Sequence, residues 1–178
     1  MALIRVRDKS PITGDNCFIA ENATITGDVV MGNDCSVWFN AVIRGDVNSI
    51  RIGNKVNIQD AAIIHCTYQK AATEIGDNVS IGHRAIVHGC TIHKNVLIGM
   101  GAIIMDHAVV GENSIIAAGA VVTENTIIEA GSLYAGVPAV KIKSVNPKQS
   151  RDLIEKIANN YLMYSGWYKD SEPETESE

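Results

Sequence analysis

The sequence predicts an all-β solenoid, a parallel β-helix built from six-residue repeats and followed by one C-terminal α-helix. An aliphatic residue recurs at every sixth position of the central segment, and a small or β-branched residue follows each one four positions later. The aliphatic series is Ile92, Ile98, Ile104, Val110, Ile116, Val122 and Ile128. A six-residue period matches neither the 3.6-residue helix nor the two-residue strand, but it fits a coil with three sides of one repeat each. The low aromatic content, 5%, agrees with this prediction, since a narrow prism has no room for rings along its axis.

The chain divides into three predicted segments. A β-helix domain is expected over residues 1–146, with an initial strand and turn in residues 1–18 and roughly six coils in residues 19–140. An amphipathic helix is expected over residues 147–168. Residues 169–178 are acidic and are expected to form a disordered tail.

The predicted helix is marked by a change of period. Asn146 can cap its N-terminus, and Pro147 suits the first helical position. Its apolar stripe must be buried, most simply against the outside of the prism. The stripe consists of Leu153, Ile154, Ile157, Ala158, Tyr161 and Tyr164.

Composition and charge restrict the partners. The formal net charge is −5, so a nucleic-acid surface is not expected. No apolar run approaches the about 20 residues that span a bilayer, and the N-terminal sequence MALIRVRDKS is too short and too charged for a secretory signal. We therefore expect no membrane partner and a cytoplasmic location. The four cysteines form no CxxC pair, and Cys35, at an inward position, is expected to be a reduced core thiol.

Counting repeats places three polar side chains in one column. Every third repeat lies on the same face of a three-sided coil, so Arg44, His65 and His88 should stack on the outside of one face. Neighbouring coils lie about 4.8 Å apart. The imidazoles of His65 and His88 can therefore both reach one metal ion placed about 2.1 Å from each nitrogen.

The count places His83 on the adjacent face. There it stacks over Asp60 and lies beside Gln59, so it should not reach a metal held by His65 and His88 of its own chain. It could reach the metal of a neighbouring prism. We therefore expect a homotrimer with three metals at its interfaces, since a heterologous contact closes into a ring under threefold symmetry.

Three segments resemble a known family. These are RGDVNSIRIG (44–53), NIQDAAIIHC (57–66) and IGHRAIVHGCTI (81–92), and they are similar to the γ-class carbonic anhydrases and their close relatives. Those proteins are left-handed β-helix trimers of the hexapeptide-repeat superfamily. The resemblance covers about residues 10–168, and the left hand predicted for this solenoid comes from it.

The resemblance implies a role for each site residue. His65, His83 and His88 would be the metal ligands, with Zn²⁺ as the ion and Fe²⁺ or Co²⁺ as alternatives. Arg44 and Asp46 would form an ion pair at the trimer interface. Gln59 would hydrogen-bond near the metal-bound water, and Asp60 would support it. His93 and His107, which match no ligand position, are expected to be surface residues.

The implied reaction is the reversible hydration of CO2 to bicarbonate by a metal-bound hydroxide. The segment Cys66–Glu74 leaves the repeat as a loop, but it lacks the longer acidic insertion that shuttles protons in the best-known branch. The chain therefore resembles shorter-loop relatives, several of which are labelled acyltransferases or thioesterases. An acyl-CoA-dependent acyltransferase or thioesterase is the alternative, and three converging imidazoles favour the hydratase, since acyl transfer needs one base.

Overall fold

The computed structural model describes residues 2–169 and shows a parallel β-solenoid of about seven turns with one C-terminal helix, so the predicted fold is confirmed. The strands are β1 (Ala2–Ile4), β2 (Phe18–Ile19), β3 (Thr24–Met31), β4 (Ser36–Val37), β5 (Val42–Ile52), β6 (Asn57–Ile58), β7 (Ile63–His65), β8 (Thr73–Ile75), β9 (Ser80–Ile81), β10 (Ile86–His88), β11 (Thr91–Ile92), β12 (Leu97–Ile98), β13 (Ile103–Ile104), β14 (Val109–Val110), β15 (Ile115–Ile116), β16 (Val121–Val122), β17 (Ile127–Ile128), β18 (Ser132–Ala135) and β19 (Val140–Ser144). The helix α1 spans Pro147–Lys169. The predicted disordered tail lies outside the described residues except for Lys169, which ends α1.

The strands form three faces. The histidine face stacks the first halves of β3 and β5 with β7, β10, β13 and β16. The Arg51 face stacks the second halves of β3 and β5 with β8, β11, β14 and β17. The helix face stacks β2, β4, β6, β9, β12, β15 and β18. The long strands β3 and β5 turn the corner between the first two faces, and residues 46–49 of β5 occupy a corner where β3 uses only Asp28.

The core is the inner lining of the three faces. From Ile25 to Ile128, the inward aliphatic residue of each repeat is almost completely buried, as in Ile43 and Ile64 on the histidine face. Outward residues of the same strands, such as His65 and His88, are only partly buried. The inward side chains therefore form an apolar core along the axis, and the candidate site residues lie on the outer surface of the solenoid.

The helix α1 covers the helix face. It contacts β4 and β9, and Ile154 and Ala158 of the predicted stripe are buried. The Asn146 side chain accepts a hydrogen bond from the Lys148 backbone N–H at 2.9 Å, which is the capping contact that the sequence predicts. Within residues 2–169, no helix is long and apolar enough to cross a membrane.

The buried stripe of α1 gives a stability prediction. Ile154→Ala removes a fully buried side chain, and we expect it to lower the free energy of unfolding by about 2–4 kcal/mol. The matched control is Leu153→Ala, because Leu153 is 45% exposed, and its expected effect is below about 1 kcal/mol. Urea unfolding followed by circular dichroism measures both, and equal losses would show that α1 does not pack as described.

Candidate metal centre

Two imidazoles face each other on the histidine face. Strands β7 and β10 pair in parallel with His88 directly over His65. The distance from His65 Nδ1 to His88 Nε2 is 3.1 Å. The column that the repeat count predicts therefore brings two ring nitrogens together in one chain.

In each ring, the nitrogen that does not face the other histidine lies beside a carboxylate. His88 Nδ1 lies 2.5 Å from Asp106 Oδ1, and His65 Nε2 lies 3.3 Å from Asp46 Oδ1. A neutral imidazole has one N–H, and the carboxylate attracts it. The lone pairs therefore fall on the two nitrogens that face each other.

This donor set fits a metal ion. Two facing lone pairs repel each other unless a cation or a proton lies between them. Two ligands of a tetrahedral ion, each about 2.05 Å from the metal, lie roughly 3.3 Å apart, which is close to the observed 3.1 Å between His65 and His88. Carboxylates behind the ligating imidazoles are also the usual outer partners of such sites.

His83 has the same chemistry at a different place. It follows β9, at the edge of the helix face, and its Nδ1 lies 2.8 Å from Asp60 Oδ2. Its Nε2 faces outward and lies 3.4 Å from the hydroxyl of Tyr161 on α1. The stacking of His83 over Asp60 is the one that the repeat count predicts.

A carboxylate partner distinguishes the three candidate ligands from the remaining histidines. His65, His83 and His88 each have an aspartate within ion-pair distance. In the part of the chain that the structure describes, His93 and His107 form no such pair. The three positions chosen by counting are thus the three whose tautomer a carboxylate can fix.

Arg44 and Asp46 border the histidine pair. Arg44 Nη1 donates to Asp46 Oδ2 at 2.7 Å, and its Nη2 lies 3.5 Å from His65 Nδ1. Burial would raise the pKa of Asp46, but the hydrogen bond and charge of Arg44 outweigh it and lower that pKa below its usual value. Burial and the nearby guanidinium lower the pKa of His65, so this ring is neutral at neutral pH.

Gln59 supports His83. Its Oε1 accepts a hydrogen bond from the His83 backbone N–H at 3.1 Å, and its Nε2 donates to Asn57 Oδ1 at 3.0 Å. Asn57 in turn donates to Ser80 Oγ at 2.7 Å. The Gln59 amide is therefore held in a buried polar network under His83, and the contact near a metal-bound water that the resemblance implies for it stays a prediction.

Sequence reasoning missed Asp106 and two threonines. Asp106 follows β13, the strand stacked on β10, so extending the repeat count by one coil would have found it. Thr67 Oγ1, in the loop that leaves the repeat, donates to Asp106 Oδ2 at 2.5 Å. Burial raises the pKa of Asp106, but the hydrogen bonds from Thr67 and His88 lower it overall.

Thr73, at the end of the same loop, joins the two histidine strands. Its buried hydroxyl donates to the His65 carbonyl at 2.6 Å and accepts from the Gly89 N–H at 3.0 Å. Gly89 has a φ of 56°, and a Cβ there would collide with Asp106 Oδ1. The bare backbone at Gly89 therefore allows Asp106 to reach His88.

The nearby thiols are unsuited to metal binding. Cys66 and Cys90 follow the histidine strands but are buried. Burial raises the pKa of Cys66 to about 11 and that of Cys90 to about 12. Both remain protonated at neutral pH, whereas metals bind the thiolate.

Comparisons with known proteins agree on the family. The family described as "Bacterial transferase hexapeptide (six repeats)" matches residues 10–45, 72–104 and 89–124. A protein of Methanocaldococcus jannaschii named "Probable carbonic anhydrase" is 49% identical over 149 residues, which are 84% of this chain and 91% of the relative. A crystal structure of a hexapeptide transferase family protein from Anaplasma phagocytophilum is 40% identical, with a TM-score of 0.88, and covers 94% of this chain and 98% of that chain.

Plant relatives match over a shorter segment. "Gamma carbonic anhydrase 2, mitochondrial" from Arabidopsis thaliana is 38% identical over 109 residues, which are 58% of this chain and 39% of the plant protein. The matched segment therefore spans about two fifths of that relative. With the archaeal match over most of both chains and the repeat family, these findings show that the chain belongs to the γ-carbonic-anhydrase-like family of hexapeptide-repeat proteins.

Proposed function

We propose that this protein catalyses the reversible hydration of CO2 to bicarbonate at a divalent metal, most simply Zn²⁺, held by His65 and His88 of one subunit and His83 of the next. The observation that carries the proposal is the set of three imidazoles, each with a carboxylate on one nitrogen and its other nitrogen left as a possible metal ligand. The carbonic anhydrase names of the relatives support the same reaction. Such a metal, when bound, supplies the Lewis acidity that makes water nucleophilic near neutral pH.

The aspartates fix the ligands for this task. Asp46, Asp106 and Asp60 accept the ring N–H groups of His65, His88 and His83, so each imidazole presents its other nitrogen as an unprotonated donor. Neutral ligands leave the charge of a divalent ion undiminished, as suits a catalytic rather than a structural site.

The proposed metal site takes its three histidines from two chains. Within residues 2–169 of one chain, no cluster of three His, Cys, Asp or Glu side chains could hold a metal. An apolar strip beside the histidine pair offers a contact surface for a neighbouring subunit, and its residues stack in register on the histidine face. The strip consists of Val42, Ile63, Ile86, Ile103 and Val121. Ile63, next to His65, is 40% exposed, and a homotrimer would cover it.

The 66–74 loop supplies no proton-accepting carboxylate beside the histidine pair of its own chain. Glu74 is the acidic residue of the 66–74 loop, but it lies in β8 on the Arg51 face, paired with Arg51 and Thr91. It therefore does not border the histidine pair of its own chain. In the proposed reaction, the proton released by water leaves to buffer in solution.

The acyl-transfer alternative rests on the transferase name of the matching family and of the Anaplasma structure. A hexapeptide acyltransferase needs a single histidine as general base. Three carboxylate-backed imidazoles exceed that need, so the hydratase is the better-supported function. The two functions differ in their response to metal removal.

The first functional prediction separates these two reactions. His88→Ala, or removal of the metal by a chelator, is expected to abolish CO2 hydration and to reduce bound metal, measured by stopped flow and by elemental analysis. His93→Ala, on the Arg51 face, is the control and should retain both. Acyl-CoA turnover that survives chelation, with no CO2 hydration in any metal-loaded sample, would replace the hydratase with the alternative.

The second prediction tests whether the site is shared between subunits. Equal amounts of His83→Ala and His88→Ala chains, each inactive alone, are unfolded together and refolded. Random threefold assembly then places an intact His65–His88 pair against an intact His83 at about one quarter of the interfaces. We expect about one quarter of the wild-type metal content and activity to return.

The matched control for this experiment mixes His65→Ala with His88→Ala. Both substitutions damage the same half-site, so no recovery is expected. Recovery in the control, or none in the test mixture when wild-type chains refold normally, would contradict a site built from two chains.

The third prediction concerns the residues that orient His88. Asp106→Asn is expected to weaken metal affinity by about 10- to 100-fold, because the amide no longer attracts the ring N–H in the same way. Thr67→Val should weaken it less, and Thr67→Ser should restore it. Competition with a chelator for Co²⁺ measures the affinity independently of turnover, and Thr91→Val, on the Arg51 face, is the control. Unchanged affinity in Asp106→Asn would show that His88 is not a ligand.

A further inference from the structure

Two cysteines stack at the N-terminal end of the helix face. Cys17 precedes β2 and Cys35 precedes β4, and these strands pair in parallel with Phe18 over Ser36. The two cysteines therefore occupy the same position on consecutive coils. Coils lie about 4.8 Å apart, which is within the Cα separation of about 4.4–6.8 Å that a disulfide requires.

Packing alone does not explain a thiol pair here. The same inward position on the following five coils is filled by valine or serine, as the strand register shows. These residues are Val56, Val79, Val96, Ser114 and Ser132. Because valine fills this position on other coils, packing does not require a cysteine there. The two adjacent cysteines therefore indicate a chemical role in addition to packing.

Access differs between the two thiols. Cys17 lies on the first coil, where the column is open at its end, and it lines a cleft of about 660 Å³ together with Lys169. Cys35 is 1% exposed and lies behind it. The Lys169 ammonium donates to the carbonyl and to the Oδ1 of Asn16, both at 2.8 Å. A cation is thus fixed next to the accessible thiol.

The electrostatic surroundings favour a thiolate at Cys17. Contact with the Cys35 thiol is the largest influence, and with Lys169 it outweighs burial and lowers the pKa of Cys17 to about 6. The same contact and burial raise the pKa of Cys35. An accessible thiolate beside a protonated second thiol is the usual arrangement of an attacking and a resolving cysteine.

We propose that Cys17 is a site of oxidation by hydroperoxides and that Cys35 resolves the product to an intrachain disulfide. The Cys17 thiolate attacks one peroxide oxygen, so an S–O bond forms, the O–O bond breaks, and the leaving hydroxide takes up a proton to become water. Cys17 is then a sulfenic acid. Cys35 attacks the Cys17 sulfur, the S–O bond breaks, and the hydroxyl leaves as water with the Cys35 proton. Two thiols lose two electrons in total, and one hydrogen peroxide is reduced to two waters.

The experiment treats the purified full-length protein with one equivalent of hydrogen peroxide and follows intact mass and peptide maps. We expect two of the four free thiols to disappear, the mass to fall by about 2 Da, and one cross-link to join the peptides of Cys17 and Cys35. Cys66 and Cys90 are internal controls and should react at least about ten-fold more slowly, since both are buried and protonated.

Two variants separate the steps. Cys35→Ser should accumulate a Cys17 sulfenic acid that dimedone traps, and Cys17→Ser should lose the fast reaction. Peroxide consumption by Cys17→Ser at the wild-type rate, or a wild-type product that gains oxygen without a cross-link, would overturn the proposal. These measurements use neither metal nor CO2, so their outcome is independent of the proposed hydratase.

Discussion

The parallel register between consecutive coils is the constraint on which the rest of the structure depends. Because the coils that carry the site stack in register, His88 lies over His65 and His83 lies over Asp60. A slip of one residue would exchange inward and outward side chains. It would send these imidazoles into a core lined by Ile64 and Val87. The packing of the aliphatic core therefore sets the register of the coils, and this register determines which polar side chains lie next to each other on the outside.

The repeat count predicted the parts of the site that lie in regular coils. It predicted the His65–His88 column, the His83–Asp60 contact and the separation of His83 from the pair, because all of these follow from a fixed period. The resemblance, rather than the period, supplied the Arg44–Asp46 pair. That the assembly is a trimer and that it holds a metal stay predictions.

Asp106 lies in the regular repeat and was missed because the count stopped one coil short, whereas the two threonines were missed because they lie where the period fails. Thr67 and Thr73 belong to a loop whose path no repeat dictates, yet their hydroxyls tie Asp106, His65 and Gly89 together. The role near a metal-bound water that the resemblance implies for Gln59 stays a prediction, but its contact with Asn57, which in turn bonds Ser80, was not predicted. Side-chain direction at a corner depends on local hydrogen bonds, which a count of faces cannot supply.

The separation of the two half-sites has a thermodynamic consequence for the proposed enzyme. His65 and His88 lie on one face and His83 at the edge of another, so a metal that needs all three nitrogens binds only the associated chains. Whatever binds the assembled state but not its parts stabilises it by mass action. Metal affinity and subunit association would then be two measures of one coupled equilibrium. The carboxylates strengthen this coupling, because they hold each imidazole ready before the chains meet and so reduce the ordering that association must impose.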